Sequence, residues 1–528
     1  MGEVDADGVW TYRADAEATS SADDTRSLAG MTFAVKDNID VAGIPTTLGA
    51  PSLAYLPERN ATSVQRLLDA GAVFAGKTTL DQFATGLVGT RSPYFGIARN
   101  PIDPQYIAGG SSSGSAVAVA RGEVPIALGT DTAGSGRVPA ACCGIVGWKP
   151  TRALVPTDGV FPASPSFDCV SVFTITVRDA ARVHAVLADP VPTRPAVTRV
   201  GVPGPLRWFD DDDARRCFAR AVDRIRDLAI EVVAVDAHVL YETGRLLYES
   251  ALLAERLASF GHLMTRDPAA VDPTVRTIVE QASGYTARDA FATRARLAEL
   301  RATADTMWSE VDAVILPTIA RHPTIAEVLA DPFEPNRELG TYTASTNLLG
   351  WCALAVPAGT RANGLPFGVS LMGPARADGA VLELGARFLG EEPIALDAGY
   401  DLVVVGAHLT GQALHHQLTD RGARLVASTT TAPTYRLFAL RTTPPKPGLV
   451  HDPRGGRPIE VEVWRLAPDA FASFVNEVPR PLAIGTVELA DGRAVNGFVC
   501  EPGALADATE ITEFGGWRKW LASRAAAE

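Results

Sequence analysis

Two glycine-rich stretches decide how this chain is interpreted: IAGGSSSGSAVAVA at residues 107–120 and GTDTAGSGRVPA at residues 129–140. Ser111 directly follows a Gly-Gly pair in the first, and Ser135 lies between two glycines in the second. Glycines permit backbone angles and close approaches that other residues resist. Alone, such a Gly/Ser tract is also typical of a flexible linker or a phosphate-binding turn.

A third stretch, AVKDNID at residues 34–40, places Lys36 at the end of an apolar segment. A serine hydroxyl is a weak nucleophile that needs an adjacent base. No histidine accompanies either serine motif, so a Ser-His-Asp triad is not supported locally. A lysine serves instead when burial lowers its pKa. The backbone amides of the second stretch are candidates for an oxyanion hole: Thr132, Ala133, Gly134 and Ser135.

Together these stretches resemble the amidase-signature family, over about residues 31–390. The resemblance implies a Ser–cis-Ser–Lys triad with Lys36 as base and Ser111 as relay, the latter after a cis peptide bond. Ser135, 24 residues further on, is then the nucleophile. The resemblance also implies that Arg137 braces the site and contributes to substrate binding. A plain surface charge is the alternative for Arg137.

The order of segments favours an α/β fold. The apolar stretch MTFAVKDNI, the amphipathic stretch ATSVQRLLDAGA and the apolar stretch VFAGK fit strand, helix and strand. Residues 206–310 look mostly helical, whereas residues 313–317 and 367–373 are candidate strands. The resemblance implies the amidase-signature fold, a mixed twisted β-sheet core covered by helices.

The sequence pattern changes near residue 397, after which apolar, strand-like segments alternate with Pro/Gly-rich turns. We therefore expect a lead-in at residues 1–30, a catalytic domain at 31–396 and a small α+β domain at 397–528. The last begins with a strand in DLVVVGAH, followed by a helix to about residue 420 and then by strands between Pro/Gly turns.

Several details resemble the allophanate hydrolase subfamily: Ala133 in the nucleophile segment, LDQFATGLVGTRSP at residues 80–93, SFDCVSVF at 166–173 and VVVGAHLTG in the tail. This resemblance implies hydrolysis of allophanate, with the tail assisting decarboxylation of the product, N-carboxycarbamate. It implicates His408 in that second step, and a histidine that titrates near pH 7 suits proton transfer. A turn-stabilising histidine is the alternative. Tyr435, Arg436 and Glu462 are further candidates for the same pocket.

Allophanate carries a carboxylate, for which arginine is the usual partner. Tyr248 and Arg256 lie eight residues apart in YESALLAER, hence on roughly the same side of one helix. The pair resembles the substrate-binding Tyr and Arg of the subfamily. A packing tyrosine and a surface arginine are the alternative.

The overall composition and charge disfavour several classes of protein. A net charge of −13 disfavours a nucleic-acid partner, and no apolar run approaches a membrane span. The N-terminus lacks the apolar core of a signal peptide, so we expect a cytoplasmic protein. The eight histidines show no metal-binding spacing, and we expect neither metal nor cofactor. The six cysteines are expected to be buried and reduced.

The resemblance further implies a small-molecule substrate, a homodimer and functional coupling to a biotin-dependent urea carboxylase on a separate protein. One alternative is an amidase of other specificity, such as a component of a glutaminyl-tRNA amidotransferase or a malonamate amidase. The acidic charge and the GAHL tail argue against the amidotransferase. Another alternative is a non-catalytic scaffold, against which the intact set of Lys36, Ser111 and Ser135 argues.

Overall fold

An eleven-stranded mixed sheet forms the centre of the first of two units, Met1–Leu396 and Asp397–Glu528. The computed structural model describes residues 7–14, 26–189, 195–392, 399–442, 445–466 and 468–525. The strands of the first unit are β1 (Trp10–Arg13), β2 (Thr32–Lys36), β3 (Val73–Thr78), β4 (Ile126–Asp131), β5 (Val146–Lys149), β6 (Cys169–Thr174), β7 (Arg199–Gly204), β8 (Glu231–Asp236), β9 (Ala313–Pro317), β10 (Cys352–Thr360) and β11 (Pro366–Gly373). Their order across the sheet is β1-β3-β2-β4-β6-β5-β10-β11-β9-β7-β8.

Helices accompany this sheet along the chain. They are α1 (Thr62–Asp69), α2 (Ser113–Ala120), α3 (Val138–Cys143), α4 (Val177–Leu187), α5 (Asp212–Asp227), α6 (His238–Glu249), α7 (Ala254–Arg266), α8 (Pro273–Glu280), α9 (Ala287–Asp305), α10 (Ile325–Ala330), α11 (Glu334–Leu339), α12 (Ala344–Leu349) and α13 (Asp378–Leu389). No helix among the described residues is both long and apolar enough to cross a membrane.

Strand β2 shows how both faces of the sheet are buried. Phe33 and Val35 join one apolar cluster, whereas Ala34 between them joins another. Alternate side chains of a strand point to opposite faces, so apolar residues at every position require cover on both sides. Val64 of α1 belongs to the same apolar cluster as Phe33 and Val35, and Val117 of α2 belongs to the same cluster as Ala34.

Strands β2 and β4 are parallel neighbours, and this pairing positions the site. Lys36 is the last residue of β2, and Asp131 is the last residue of β4. Parallel strands end at the same edge of a sheet, so the two sequence motifs converge there although 94 residues separate Lys36 from Thr130.

The structure differs from the sequence-based expectation at both edges of the sheet. Residues Glu231–Asp236, within the segment expected to be mostly helical, form β8 and pair in parallel with β7. Their sequence EVVAVD is rich in β-branched valine, which favours a partly exposed edge strand. Residues Trp10–Arg13, expected in a lead-in, form β1 and pair with β3.

The helix expected through YESALLAER is interrupted. Helix α6 ends at Glu249, Ser250 is extended with φ −148° and ψ 179°, and α7 begins at Ala254 after a short 3₁₀ turn. The Ser250 hydroxyl accepts a hydrogen bond from the Leu252 amide and so caps this turn. The helical spacing between Tyr248 and Arg256 is therefore broken at Ser250.

The second unit contains a five-stranded and a three-stranded sheet. Its elements are β12 (Tyr400–Val404), α14 (His416–Thr419), β13 (Arg424–Thr430), β14 (Tyr435–Leu440), β15 (Lys446–His451), β16 (Glu460–Leu466), α15 (Pro468–Asn476), β17 (Leu482–Glu488), β18 (Ala494–Cys500), β19 (Thr509–Glu510) and α16 (Trp517–Ala525). The helix expected after β12 is mostly a series of turns, with only one short helical turn at α14.

Candidate active site

Lys36 is fully buried at the end of β2. Its Nζ donates hydrogen bonds to Ser111 Oγ and Thr130 Oγ1, each at 2.7 Å. Burial lowers the pKa of Lys36 to about 7, against the opposing charges of nearby aspartates. Near neutral pH a substantial fraction of Lys36 is therefore an uncharged amine that can accept a proton from Ser111.

Ser111 lies on a tight loop before α2. The peptide bond between Gly110 and Ser111 is cis, the geometry that the family resemblance implies. A Cβ at position 110 would come within 2.2 Å of Asp81 Oδ2, so only glycine fits there. Asp81 N donates to Ser111 O at 3.0 Å and fixes the loop from the other side.

Asp131 organises the loop that carries Ser135. Its carboxylate accepts hydrogen bonds from the amides of Gly134 and Gly136, both at 2.9 Å. It also accepts two bonds of 3.0 Å from the guanidinium of Arg137. Although burial opposes the charge, the Arg137 guanidinium holds the pKa of Asp131 below its usual value.

Arg137 is not placed to contact a substrate, contrary to part of our expectation. It is fully buried, and besides Asp131 it donates to Thr346 Oγ1 at 3.0 Å and Asn347 Oδ1 at 2.8 Å. With its donors directed at these partners, Arg137 braces the nucleophile loop against α12. Asp131, which the sequence analysis did not single out, lies within the same motif and is its partner.

The expected oxyanion hole is reduced from four amides to three. The Gly134 N–H donates to Asp131 and is unavailable to a substrate. Among the described residues, the N–H groups of Thr132, Ala133 and Ser135 have no acceptor. Gly134 has φ +137°, and a Cβ there would lie 2.3 Å from Thr343 Oγ1, so glycine is needed to form this turn.

Ser135 is buried, with 3% of its surface exposed. Its Oγ donates to the carbonyl oxygen of Gly86 at 3.4 Å, a long hydrogen bond. No hydrogen bond between Ser111 and Ser135 is present among the described residues. The lysine-to-serine half of the expected relay is thus formed, whereas the serine-to-serine half requires the Ser135 hydroxyl to turn from Gly86.

Arg256 is fully buried, contrary to the surface-charge alternative. Its Cζ lies 4.9 Å from the centroid of the Tyr248 ring, which supplies a cation–π contact. None of its three guanidinium nitrogens has a hydrogen-bond partner among the described residues. The arrangement is a buried cation with all its donors free.

Asp168 connects the region of Arg256 to the nucleophile loop. Thr132 Oγ1 donates to Asp168 Oδ1 at 2.5 Å, and the Ala163 and Ser164 amides also donate to this carboxylate. Burial raises the pKa of Asp168 to about 6, and the charge of Arg256 acts in the opposite direction. Asp168 was not predicted as a site residue, although it lies in the segment SFDCVSVF at residues 166–173.

The first unit contains a cavity of about 660 Å³, and the described residues along its wall do not include Ser135 or Arg256. Tyr248, Asn336 and Ala344 are among its lining residues. Asn336 accepts a hydrogen bond from Leu87 N at 2.8 Å, next to the Gly86 carbonyl that faces Ser135. Asn336, a residue of the cavity wall, is therefore connected to Ser135 by hydrogen bonds through the Gly86–Leu87 peptide.

His408 lies in the turn after β12 of the second unit. Its Nε2 is 2.9 Å from Gln417 Oε1, and its ring stacks on Phe498 with centroids 5.1 Å apart. Burial lowers the pKa of His408 to about 4, below the range near pH 7 that suits proton transfer. Lys446 and Phe498 line a small cavity beside the ring.

The other candidates in the second unit do not line that cavity within the described part of the chain. Tyr435 Oη accepts from Glu488 N at 2.9 Å, and Arg436 pairs with Glu510. Glu462 instead supports the neighbouring turn, because it accepts a 2.8 Å hydrogen bond from Thr410 N. The described residues contain no cluster of three metal-ligating side chains.

This fold, with a buried lysine beside a serine that follows a cis peptide bond and a second serine on a glycine loop, defines the amidase-signature class. Comparison with known proteins agrees. The model of the Amidase family matches residues 9–382, and the model of the allophanate hydrolase C-terminal domain matches residues 400–522. The chain belongs to the amidase family and carries this second domain.

Three similar proteins illustrate the relationship. The urea amidolyase of Saccharomyces cerevisiae is 39% identical over 94% of this chain, which spans 30% of that protein's length. The structure of the allophanate hydrolase of Kluyveromyces lactis superposes with a TM-score of 0.70 and 37% identity, covering 96% of this chain and 90% of that one. The 2-amino-5-chloromuconic acid deaminase of Comamonas testosteroni is 34% identical over 68% of this chain and 81% of that protein.

Proposed function

We propose that this chain hydrolyses the linear amide C–N bond of allophanate, with Ser135 as nucleophile and Ser111 and Lys36 as its proton relay. The observation that carries the substrate assignment is the fully buried Arg256, whose guanidinium nitrogens have no hydrogen-bond partner in the described part of the chain. A buried charge without partners is costly, so such a site favours an anionic ligand.

The size and chemistry of allophanate fit this arrangement. The molecule is a urea that carries one carboxylate, and an arginine can bind both carboxylate oxygens at once. Tyr248, whose ring lies 4.9 Å from the Arg256 guanidinium carbon, also lines the 660 Å³ cavity. Similarity to the Kluyveromyces lactis allophanate hydrolase, which covers 96% of this chain, supports the same assignment.

The proposed acylation begins with uncharged Lys36, which accepts the proton of Ser111 across 2.7 Å. Ser111 in turn accepts the proton of Ser135, and Ser135 Oγ attacks the terminal amide carbon. The free amides of Thr132, Ala133 and Ser135 stabilise the oxyanion, each contributing about 3–4 kcal/mol in well-studied hydrolases. Ser111 then returns a proton to the leaving nitrogen, and ammonia departs.

Deacylation uses the same groups in reverse. Water attacks the acyl carbon, the relay accepts its proton, and Ser135 recovers its own as the C–O ester bond breaks. The product is N-carboxycarbamate, which carries two carboxylates. We propose that the second unit assists its decarboxylation through His408. This histidine is uncharged at pH 7, and a nearby dianion would raise its pKa toward the range of proton transfer.

An ammonia-release assay with allophanate, malonamate, glutamine and propionamide tests the substrate assignment. Release from allophanate and, more slowly, from malonamate is expected, because both offer Arg256 a carboxylate close to the amide. Preferential release from glutamine would redirect the proposal to an amidotransferase-type amidase. No release from any of the four would contradict the hydrolase assignment itself.

The remaining expectations belong to the same proposal. We infer functional coupling to a biotin-dependent urea carboxylase, whose reaction would supply allophanate, and a homodimeric, cytoplasmic protein. The Saccharomyces cerevisiae relative, of which this chain spans 30%, is named a urea amidolyase, and this supports a link to urea breakdown. Light scattering on the purified chain measures the oligomeric state, and a monomer of 55.6 kDa would contradict the dimer.

A further inference from the structure

The peptide group between Gly86 and Leu87 contacts the nucleophile with one end and a distant helix with the other. Its carbonyl oxygen accepts the Ser135 hydroxyl at 3.4 Å, and its N–H donates to Asn336 Oδ1 at 2.8 Å. A peptide group is planar, so the direction of its N–H fixes the direction of its carbonyl. The side chain that binds the N–H therefore determines where the carbonyl points.

Position 86 of this peptide admits only glycine. Gly86 has φ +151°, and a Cβ there would lie 2.6 Å from Asp81 Oδ2. The Leu87 carbonyl accepts a 2.8 Å bond from Gly110 N, in the loop that presents Ser111. The same short segment thus contacts the loops of both serines.

Asn336 reaches this peptide from α11, 249 residues further along the chain. It is buried, with 8% of its surface exposed, and it lines the 660 Å³ cavity. Among the described residues, its Oδ1 is the only acceptor of the Leu87 N–H. Without it this buried donor would be unpaired, and the peptide group would be free to rotate toward another partner.

We propose that Asn336 is a positioning residue for the nucleophile: it orients the Gly86–Leu87 peptide so that the Gly86 carbonyl keeps the Ser135 side chain in place until its hydroxyl turns to Ser111. The inference rests on the proposed role of Ser135. The 3.4 Å bond is long, so it places the oxygen while allowing the hydroxyl proton to turn to Ser111 at little cost. Displacing a nucleophile by about 1 Å lowers rates on the order of 100-fold.

Covalent labelling with phenylmethylsulfonyl fluoride tests this role without any amide substrate. Ser135 Oγ forms a bond to sulfur while fluoride leaves with the proton, and intact-mass spectrometry measures the rate. Asn336→Leu removes the acceptor and is expected to slow labelling about 10- to 100-fold. Asn336→Asp keeps an acceptor oxygen at the same place and should label within about threefold of the unaltered chain, by the same positional argument.

A matched control is available in Asn60, whose Oδ1 accepts a 2.8 Å bond from the Ala42 amide in a loop. Asn60→Leu removes the same kind of bond and should leave the labelling rate unchanged. In amide hydrolysis, Asn336→Leu should lower kcat, whereas Asn336→Asp should chiefly raise KM because it places a negative charge on the cavity wall. A general folding defect would lower the unfolding temperature without producing this split.

The outcomes are distinct. Labelling of Asn336→Leu at the unaltered rate would overturn the inference while leaving the role of Ser135 intact. Failure of the unaltered chain to label at Ser135 would overturn the proposed function, and the inference with it. If Asn336→Leu does not fold, as judged by circular dichroism, Asn336→Ala provides the same loss of acceptor without added bulk.

Discussion

The Arg256 guanidinium lies 4.9 Å above the Tyr248 ring although an extended residue, Ser250, separates their two helices. The ring covers one face of the cation, but it supplies no hydrogen-bond acceptor for the guanidinium. A fully buried arginine in this state lowers stability, and an anionic substrate would offset that cost on binding. Replacing Arg256 with an uncharged residue should therefore lower activity and raise the free energy of unfolding.

Arg256→Met tests this opposition. Because a charged hydrogen bond contributes about 1.5–3 kcal/mol, kcat/KM for malonamate should fall on the order of 100-fold. The free energy of unfolding, measured in urea, should rise because an unpaired buried charge is removed. Propionamide carries no carboxylate, and its turnover should change little. An equal loss on both substrates would contradict carboxylate binding by Arg256.

The pH dependence follows from the pKa of Lys36, about 7 in the folded chain. The relay needs the uncharged amine, so kcat/KM should rise as pH increases through about 7 and then level off. A pH–rate profile at saturating and at low malonamate measures this limb. Lys36→Arg, which stays charged, should be inactive across the range, and a profile with no inflection between about pH 5 and pH 9 would argue against Lys36 as base.

Ser135→Ala should reduce ammonia release by roughly 1000-fold or more, because the attacking oxygen is lost. Ser113, two residues after Ser111, provides the control, since it is buried and its Oγ has no hydrogen-bond partner among the described residues. Ser113→Ala removes a hydroxyl without breaking a bond, so activity should be retained. Comparable loss in both variants would indicate that the local backbone, rather than the Ser135 hydroxyl, limits the reaction.

Arg137→Met should destabilise the first unit. It leaves the buried Asp131 carboxylate without its cation, a change that costs about 3–5 kcal/mol for a buried pair. Urea unfolding measures the loss. Adding Asp131→Asn to Arg137→Met removes the stranded charge and should recover part of the stability. If the double variant is no more stable than Arg137→Met, the ion pair is not the source of the loss.

His408→Ala tests the second unit. It should leave release of the first ammonia from allophanate unchanged while N-carboxycarbamate accumulates. Carbon-13 NMR with labelled allophanate follows both steps in one sample. Gln417→Ala, which removes the 2.9 Å partner of His408 Nε2, should give a weaker form of the same effect. An unchanged product profile in His408→Ala would remove this histidine from the reaction.

The sequence was most informative where a motif and a strand end coincide. The motifs that contain Lys36 and Ser135 were identified from the sequence. In the structure these motifs meet because Lys36 and Asp131 end neighbouring parallel strands. The strand at Ala313–Pro317 was also predicted, because an apolar run of that length suits a strand buried on both faces.

Other features depend on contacts that sequence patterns do not encode. The break at Ser250 interrupts an apolar pattern that is helical on both sides, and the lowered pKa of His408 arises from burial by distant residues. Arg137 was expected partly as a substrate contact, yet Thr346 and Asn347 occupy its donors from 209 and 210 positions away. Tertiary packing, rather than local propensity, decided each of these cases.

The carboxylates around Lys36 influence the pH range in which this lysine can act as a base. Burial lowers the pKa of this lysine, whereas the charges of Asp81, Asp131 and Asp168 act in the opposite direction. Replacing one of these acids with a neutral amide should therefore lower the pKa of Lys36 further and favour the uncharged amine at lower pH. The pH at which this base becomes available thus depends on carboxylates outside the serine–lysine relay.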